Sequence, residues 1–110
     1  MKHTKHAVLI TALTCLLPLS SQAIETFTIN IKDHKFDPAE ITIPANTKVK
    51  LLVQNNDATP EEFESYELHR EKIIRGNSKA IIFVGPLEPG RYNFFGEFNP
   101  KTAQGFINVK

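Results

Sequence analysis

Apolar and polar residues alternate along much of the chain with a period of two. Phe27, Ile29 and Ile31 alternate with polar residues, and the same period returns at 41–43 and at 49–54. Successive side chains of a β-strand point to opposite faces, so this alternation is typical of strands that bury one face. The pattern therefore predicts strands over these three stretches.

Later parts of the chain also favour short strands, although their alternation is less regular. The stretch 60–71 is the one helix candidate, but its apolar residues lack a helical repeat, and we predict a strand there. Turn-forming pairs such as Pro89-Gly90 and Asn99-Pro100 punctuate the chain. Short strands separated in this way predict an all-β sandwich or barrel. The later strands are expected at 62–68, 72–74, 79–84, 91–95 and 105–109.

Residues 1–23 have the layout of a secretory signal peptide. A short basic start precedes an apolar run at 7–19, and Ser21-x-Ala23 has the small-residue form that signal peptidase accepts. The run is shorter than the roughly 20 residues that a membrane-spanning helix needs. An uncleaved membrane anchor is the alternative. We expect export, a mature domain at 24–110, and no membrane span after cleavage.

Composition removes several classes of function. The 110 residues carry a formal net charge of +1, and their basic residues are dispersed, so nucleic-acid binding is not expected. No G-x-S-x-G, zinc-type histidine spacing or glycine-rich phosphate loop is present, so we predict that the protein is not an ordinary enzyme. The single cysteine, Cys15, lies in the predicted signal peptide. The mature chain is therefore expected to have no disulfide and no sulfur ligand for a metal.

Four stretches, in order along the chain, resemble the cupredoxin family. Residues 36–45 resemble its opening F-x-P-x-x-I-x-V motif, and 49–57 resemble the next strand and its N-x-D turn. Residues 87–94 are similar to L-x-P-G-x-Y-x-F, and 105–109 to the closing strand. The resemblance implies an all-β, Greek-key β-sandwich of about seven to eight strands.

Two further segments, 59–65 and 95–98, most resemble the EfeO-type group of cupredoxin-like proteins. That group includes small periplasmic proteins associated with ferrous-iron uptake permeases. The resemblance implies a periplasmic location and the handling of iron or copper. It also implies a membrane iron permease, or a periplasmic metal-binding protein, as partner.

The chain departs from the family at the copper ligands. A blue-copper site needs two histidines, one cysteine and usually a weak axial methionine. By resemblance, the first histidine is replaced by Glu61 or Glu62 and the cysteine by Gly96. The second histidine would fall near Asn99, and the methionine near Gln104. We therefore expect no type 1 blue-copper site.

Oxygen donors are expected at that end of the sandwich instead. In a succession of antiparallel strands, alternate connections share one end, which would collect His34, Glu61, Glu62 and Glu97. Glu64 lies two residues further along the strand, on the same face as Glu62 and about 7 Å away. His69 should lie at the opposite end, roughly 23 Å from Glu62.

The resemblance implies Glu62 and Glu97 as metal ligands, with Glu64 and His34 as second choices. Carboxylates and one imidazole suit Fe(II), Fe(III), Mn(II) or non-blue Cu(II) rather than Cu(I). The alternative is that His34 is an ordinary exposed histidine and that the glutamates form a solvated acidic face, which would consist of Glu61, Glu62, Glu64, Glu67 and Glu71.

Three functional hypotheses remain open. The first is a periplasmic accessory protein of iron or copper uptake that binds a metal ion through carboxylates. The second is a metal-free interaction subunit. The third is a redox component in which bound copper oxidises Fe(II).

Overall fold

The computed structural model describes residues 23–110 and contains only strands in this range. No helix long and apolar enough to cross a membrane is found in this part of the chain. The nine strands are β1 (Thr26–Lys32), β2 (Lys35–Asp37), β3 (Glu40–Ile43), β4 (Val49–Asn55), β5 (Glu61–Ser65), β6 (Arg70–Ile74), β7 (Ser78–Val84), β8 (Gly90–Gly96) and β9 (Gln104–Val109).

The strands form two mixed sheets that pack face to face. One sheet has four strands in the order β2-β1-β4-β7, and the other has five in the order β3-β9-β8-β5-β6. β1 runs parallel to β4 and β3 parallel to β9, whereas the other pairs are antiparallel. The protein is therefore a β-sandwich, as the alternation and the resemblance predicted.

The core lies between the two sheets and follows from the alternation of each strand. On β4, Val49, Leu51 and Val53 are fully buried, while the residues between them point outward. Three aromatic rings meet in the centre of this core. The ring of Phe94 lies 4.9 Å from Phe36 and 5.0 Å from Phe63, centroid to centroid. Aromatic residues at such separations contribute large buried areas and favourable ring contacts.

The structure has one more strand than the upper end of the expected range. The extra strand is β2, which pairs with β1 through a tight turn at Asp33 and His34. Both turn residues have positive φ, 52° and 59°, which is the backbone of a type I′ hairpin. No strand was predicted over 35–37, because three residues are too few to show a period of two.

β5 ends at Ser65, earlier than the predicted limit at residue 68. The hydroxyl of Ser65 donates to Asn93 O at 2.6 Å and accepts from Leu68 N at 3.2 Å. A serine side chain that accepts a nearby backbone N–H favours a turn over a continued strand. The chain therefore reverses here and enters β6.

The predicted signal peptide lies outside the described residues, apart from Ala23. Its cleavage and the resulting export stay predictions.

Candidate metal site

Three connections are held together at one end of the sandwich by Asp57. Its carboxylate accepts hydrogen bonds from the backbone N–H of Asp33 at 2.8 Å and of His34 at 3.0 Å. Its backbone oxygen accepts from Asn77 N at 2.8 Å. The hydrogen bond from His34 N lowers the pKa of Asp57 most, and the bond from Asp33 N adds to the effect, because hydrogen bonds to the charged carboxylate favour that form. The β1–β2 turn, the β4–β5 loop and the β6–β7 turn therefore meet.

Glu61 connects the β8–β9 loop to the same end. Its side chain is inside the protein, with 2% of the residue exposed. One carboxylate oxygen accepts from Phe98 N at 2.9 Å and from Glu62 N at 3.0 Å, and the other accepts from Asn99 Nδ2 at 2.7 Å. Both oxygens are thus satisfied by the protein itself. Glu61 fixes the loop that follows β8 against the start of β5.

The interior position that resemblance relates to blue copper is closed. Glu61, Gly96 and Asn99 do come together, but the Glu61 carboxyl occupies the space beside Gly96. A Cβ atom on Gly96 would lie 2.6 Å from Glu61 Cδ and 2.7 Å from Ala103 Cβ. A cysteine cannot fit there without displacing Glu61. Gln104 is exposed and donates to Pro100 O, and buried Ala103 is the neighbour that faces Gly96.

Glu62 and Glu64 point to the other side of β5. Glu61 and Phe63 face inward, so the alternation of the strand places Glu62 and Glu64 on the outer face of the five-stranded sheet. Glu97 N donates to Glu62 O at 2.9 Å, which brings Glu97 beside Glu62. Each of these three residues, here called the carboxylate cluster, offers an oxygen within 4.8 Å of the others.

Glu64 carries the clearest sign of an unfilled interaction. The residue is only 9% exposed, and its Oε2 is buried with no hydrogen-bond partner among residues 23–110. Across β6, Glu71 lies directly opposite Glu64 in the strand register. From the sequence, Glu71 was expected only as part of a solvated acidic face. The four-residue turn between β5 and β6 sets this pairing, and the turn was not recognised from the sequence.

The carboxylate cluster favours protonation in the absence of a cation. Removal from water, then the hydrogen bond with Glu64 and the negative charges of Glu97 and Glu64, raise the pKa of Glu62 from 4.5 to about 7. Removal from water also raises the pKa of Glu64, with the charges of Glu71 and Glu97 adding to the effect. Like charges that face one another oppose ionisation. A bound cation would relieve the same repulsion.

Neither of the two histidines between residues 23 and 110 belongs to the carboxylate cluster. His34 Nδ1 is 3.6 Å from Asp57 Oδ2, and His34 is not a member of the group of three. Its role as a ligand stays a prediction. His69 sits in the turn between β5 and β6, at the expected far end of β5 from Glu61. The expected separation of roughly 23 Å assumed a strand that runs to residue 68. β5 ends at Ser65, and His69 lines a surface pocket together with Glu64 and Glu71.

Comparison with known proteins identifies the domain. A family model described as "Cupredoxin-like domain" matches residues 5–109. An uncharacterised protein of Rickettsia prowazekii (strain Madrid E) is 52% identical over 81 residues, which cover 74% of this chain and 65% of that protein. The chain thus spans slightly less than two thirds of the length of this relative.

Solved structures agree on the fold. The metal-binding domain of the Cu(I)-exporting P-type ATPase CopA of Streptococcus pneumoniae D39 superposes with a TM-score of 0.69 at 19% identity, over 81% of this chain and 88% of that domain. Auracyanin A, a blue copper protein of Chloroflexus aurantiacus, gives 0.69 at 15% identity, over 80% of this chain and 100% of that protein. With the sandwich, the motif order and the family match in agreement, the chain belongs to the cupredoxin-like domain family.

Proposed function

We propose that this protein is a periplasmic accessory of iron or copper uptake that binds a hard metal ion through Glu62, Glu64 and Glu97. The observation that carries the proposal is the convergence of three carboxylate oxygens within 4.8 Å, one residue of the group holding a buried oxygen without a partner. Leaving a buried polar atom unpaired costs free energy, which a cation at this place would recover.

The spacing of the oxygens suits one shared ion. Oxygen ligands lie about 2.0–2.6 Å from a bound divalent cation, so two ligands on opposite sides of it are about 4–5 Å apart. The 4.8 Å limit on the separations in the carboxylate cluster falls in this range. Small rotations of the exposed Glu97 side chain would close the site further.

The donor chemistry supports iron or Cu(II) over Cu(I). The two structural neighbours described above are named for Cu(I) and for blue copper, and soft sulfur ligands suit such ions. Residues 24–110 contain no cysteine and no methionine, and the carboxylate cluster supplies oxygen alone. The site therefore favours a hard ion.

The exposure of the site supports transfer rather than storage. Glu97 is exposed and Glu62 is half-buried, so one side of the ion would stay open to solvent and to an incoming ligand. We propose that the ion passes to a membrane iron permease or to a second periplasmic metal-binding protein. The resemblance to the EfeO-type group supports this partner and the periplasmic location. The proposed role is binding and delivery, without catalysis.

Calorimetric titration of residues 24–110 with Cu(II), Mn(II) and anaerobic Fe(II) tests the proposal. We expect one ion per chain, and a loss of at least about 100-fold in affinity for the double variant Glu62→Gln/Glu97→Gln, because changes behind the ligands alone cost about 10–100-fold. The matched control is Glu25→Gln/Glu88→Gln, which removes two carboxylates away from the cluster and should bind as the unchanged protein does.

Two results would count against this function. Equal affinities for the two double variants would show that the ligands are assigned wrongly. No binding at micromolar metal would favour the metal-free interaction subunit. A copper-loaded protein that turns over Fe(II) would instead favour the redox role.

A further inference from the structure

The outer face of the four-stranded sheet gathers basic and apolar side chains that are dispersed in the sequence. The register pairs Lys50 of β4 with Phe83 of β7, Leu52 with Ile81, and Gln54 with Lys79. These positions alternate with the buried residues of each strand and therefore point outward. We call this surface the lysine face and define it by Lys48, Lys50, Leu52, Lys79, Ile81 and Phe83.

The centre of the lysine face is apolar and open to solvent. Ile81 is 50% exposed and Phe83 is 43% exposed. The ammonium of Lys48 lies 4.8 Å from the centroid of the Phe83 ring, and that of Lys50 lies 5.8 Å from it. Cations over an aromatic face at this distance are attracted to it. The result is an exposed aromatic side chain with positive charge around it.

The positive charge of this face is not neutralised within the described residues. Lys32 and Lys35 extend it across β1 and β2. Between residues 23 and 110 the ion pair found is His34 with Asp57, so these lysines have no carboxylate within 4.0 Å. Of the outward strand positions on this sheet, Asp37 alone is acidic. The opposite outer face carries the carboxylate cluster, so the two faces differ in sign.

We propose that the lysine face docks onto an anionic lipid surface, with Ile81 and Phe83 seated among the headgroups. Lysine around exposed phenylalanine and aliphatic side chains is the composition of surfaces that bind anionic membranes. Protein interfaces favour aromatic residues, including phenylalanine, as well as methionine and arginine, but they are depleted in lysine. The lysines, rather than Phe83, therefore distinguish the two kinds of partner. The lysine face therefore fits lipid better than protein.

Charge also sets the orientation of the docked molecule. An anionic surface attracts the lysine face and repels Glu62, Glu64 and Glu97 on the opposite face. The carboxylate cluster would thus point away from the lipid. Docking of a second copy by its acidic face is the competing arrangement. It would be a heterologous contact, which forms a ring or an open filament rather than a two-fold dimer.

Co-sedimentation of residues 24–110 with vesicles tests the docking. We expect binding to phosphatidylcholine vesicles that contain phosphatidylglycerol, and little binding to pure phosphatidylcholine. Each lysine at an anionic surface contributes roughly a fivefold factor to partitioning, so Lys50→Glu should weaken binding at least about fivefold. Lys101→Glu makes the same change of charge in the β8–β9 loop, outside the lysine face, and should weaken vesicle binding much less.

Two further measurements separate the apolar contribution to vesicle binding from the electrostatic one, and vesicle binding from self-association. Ile81→Thr keeps a β-branched residue on the strand. We expect it to lower the fraction of protein bound to vesicles and to leave the salt dependence of that binding unchanged. Equal binding to both kinds of vesicle, or equal effects of Lys50→Glu and Lys101→Glu, would overturn the proposal. So would sedimentation velocity that shows Lys50-dependent self-association without vesicle binding, because a second copy would then occupy the face.

Discussion

At the scale of single residues, two adjacent glutamates have different structural roles because successive side chains of a β-strand point to opposite faces. Glu61 points inward, where donors from the protein satisfy both of its oxygens. Glu62 points outward, into a group of like charges. The resemblance left open which of the two stands in the place of the first copper ligand. The structure places Glu61 there, beside Gly96, and leaves Glu62 for the outer face.

The raised pKa of Glu62 predicts how metal-free stability depends on pH. The folded protein holds this proton up to about pH 7, whereas the ordinary value is 4.5. Folding therefore gains from protonation below pH 4.5, and this gain disappears as the pH rises through about 7. We expect the midpoint temperature of thermal unfolding to decrease as the pH is raised from about 5 to about 8. Glu62→Gln should flatten this dependence, and Glu25→Gln should leave it in place.

A slope that Glu62→Gln leaves unchanged would contradict the assignment of the proton to this group. The pKa of Glu64 is raised as well and acts in the same direction, so Glu62→Gln is expected to reduce the slope rather than remove it.

At the scale of elements, the site depends on how β5 meets the β8–β9 loop. Glu62 and Glu97 belong to different elements, and a backbone hydrogen bond from Glu97 N to Glu62 O joins them. Glu61 holds the backbone on both sides of this contact, through Glu62 N and Phe98 N. The buried carboxylate therefore fixes the relative positions of two residues of the carboxylate cluster.

Glu61→Ala should destabilise the protein by about 3 kcal/mol, because it leaves three hydrogen-bond donors without an acceptor and opens a cavity. Glu61→Gln keeps the volume and one acceptor oxygen, and should cost about 1–2 kcal/mol. Urea unfolding measures both. The surface change Glu25→Gln should stay within about 0.5 kcal/mol. If Glu61→Ala cost no more than Glu25→Gln, the anchoring role of Glu61 would be wrong.

The sequence predicted elements better than the contacts between them. Three strands were located because their inward residues, such as Val49, Leu51 and Val53, repeat with period two. Five more were located from less regular apolar stretches between turn-forming residues. β2 was missed because three residues are too few to show a period. The grouping of Glu62, Glu64 and Glu97 was expected from motif resemblance and strand alternation. Glu71 opposite Glu64, and the gathering of the lysines, required the strand register, which local patterns do not give.

At the scale of the whole molecule, a ligand that binds only the folded protein raises its stability. A metal ion held by the carboxylate cluster would stabilise the fold by about 2.7 kcal/mol at a free concentration 100 times the dissociation constant. We expect the unfolding temperature of residues 24–110 to rise steadily with added Cu(II) or Mn(II). Glu62→Gln/Glu97→Gln should show no such rise. An equal rise in both proteins would point to binding elsewhere on the chain.

The contact between Glu61 and Gly96 also constrains redesign of the scaffold. A thiol placed at position 96 alone would clash with the Glu61 carboxyl. Removing Glu61 alone would leave the hydrogen-bond donors of Phe98 and Asn99 without an acceptor. Each single step toward a copper thiolate centre thus loses stability before it gains a ligand. Building a blue-copper site on this scaffold would therefore require positions 61 and 96 to change together.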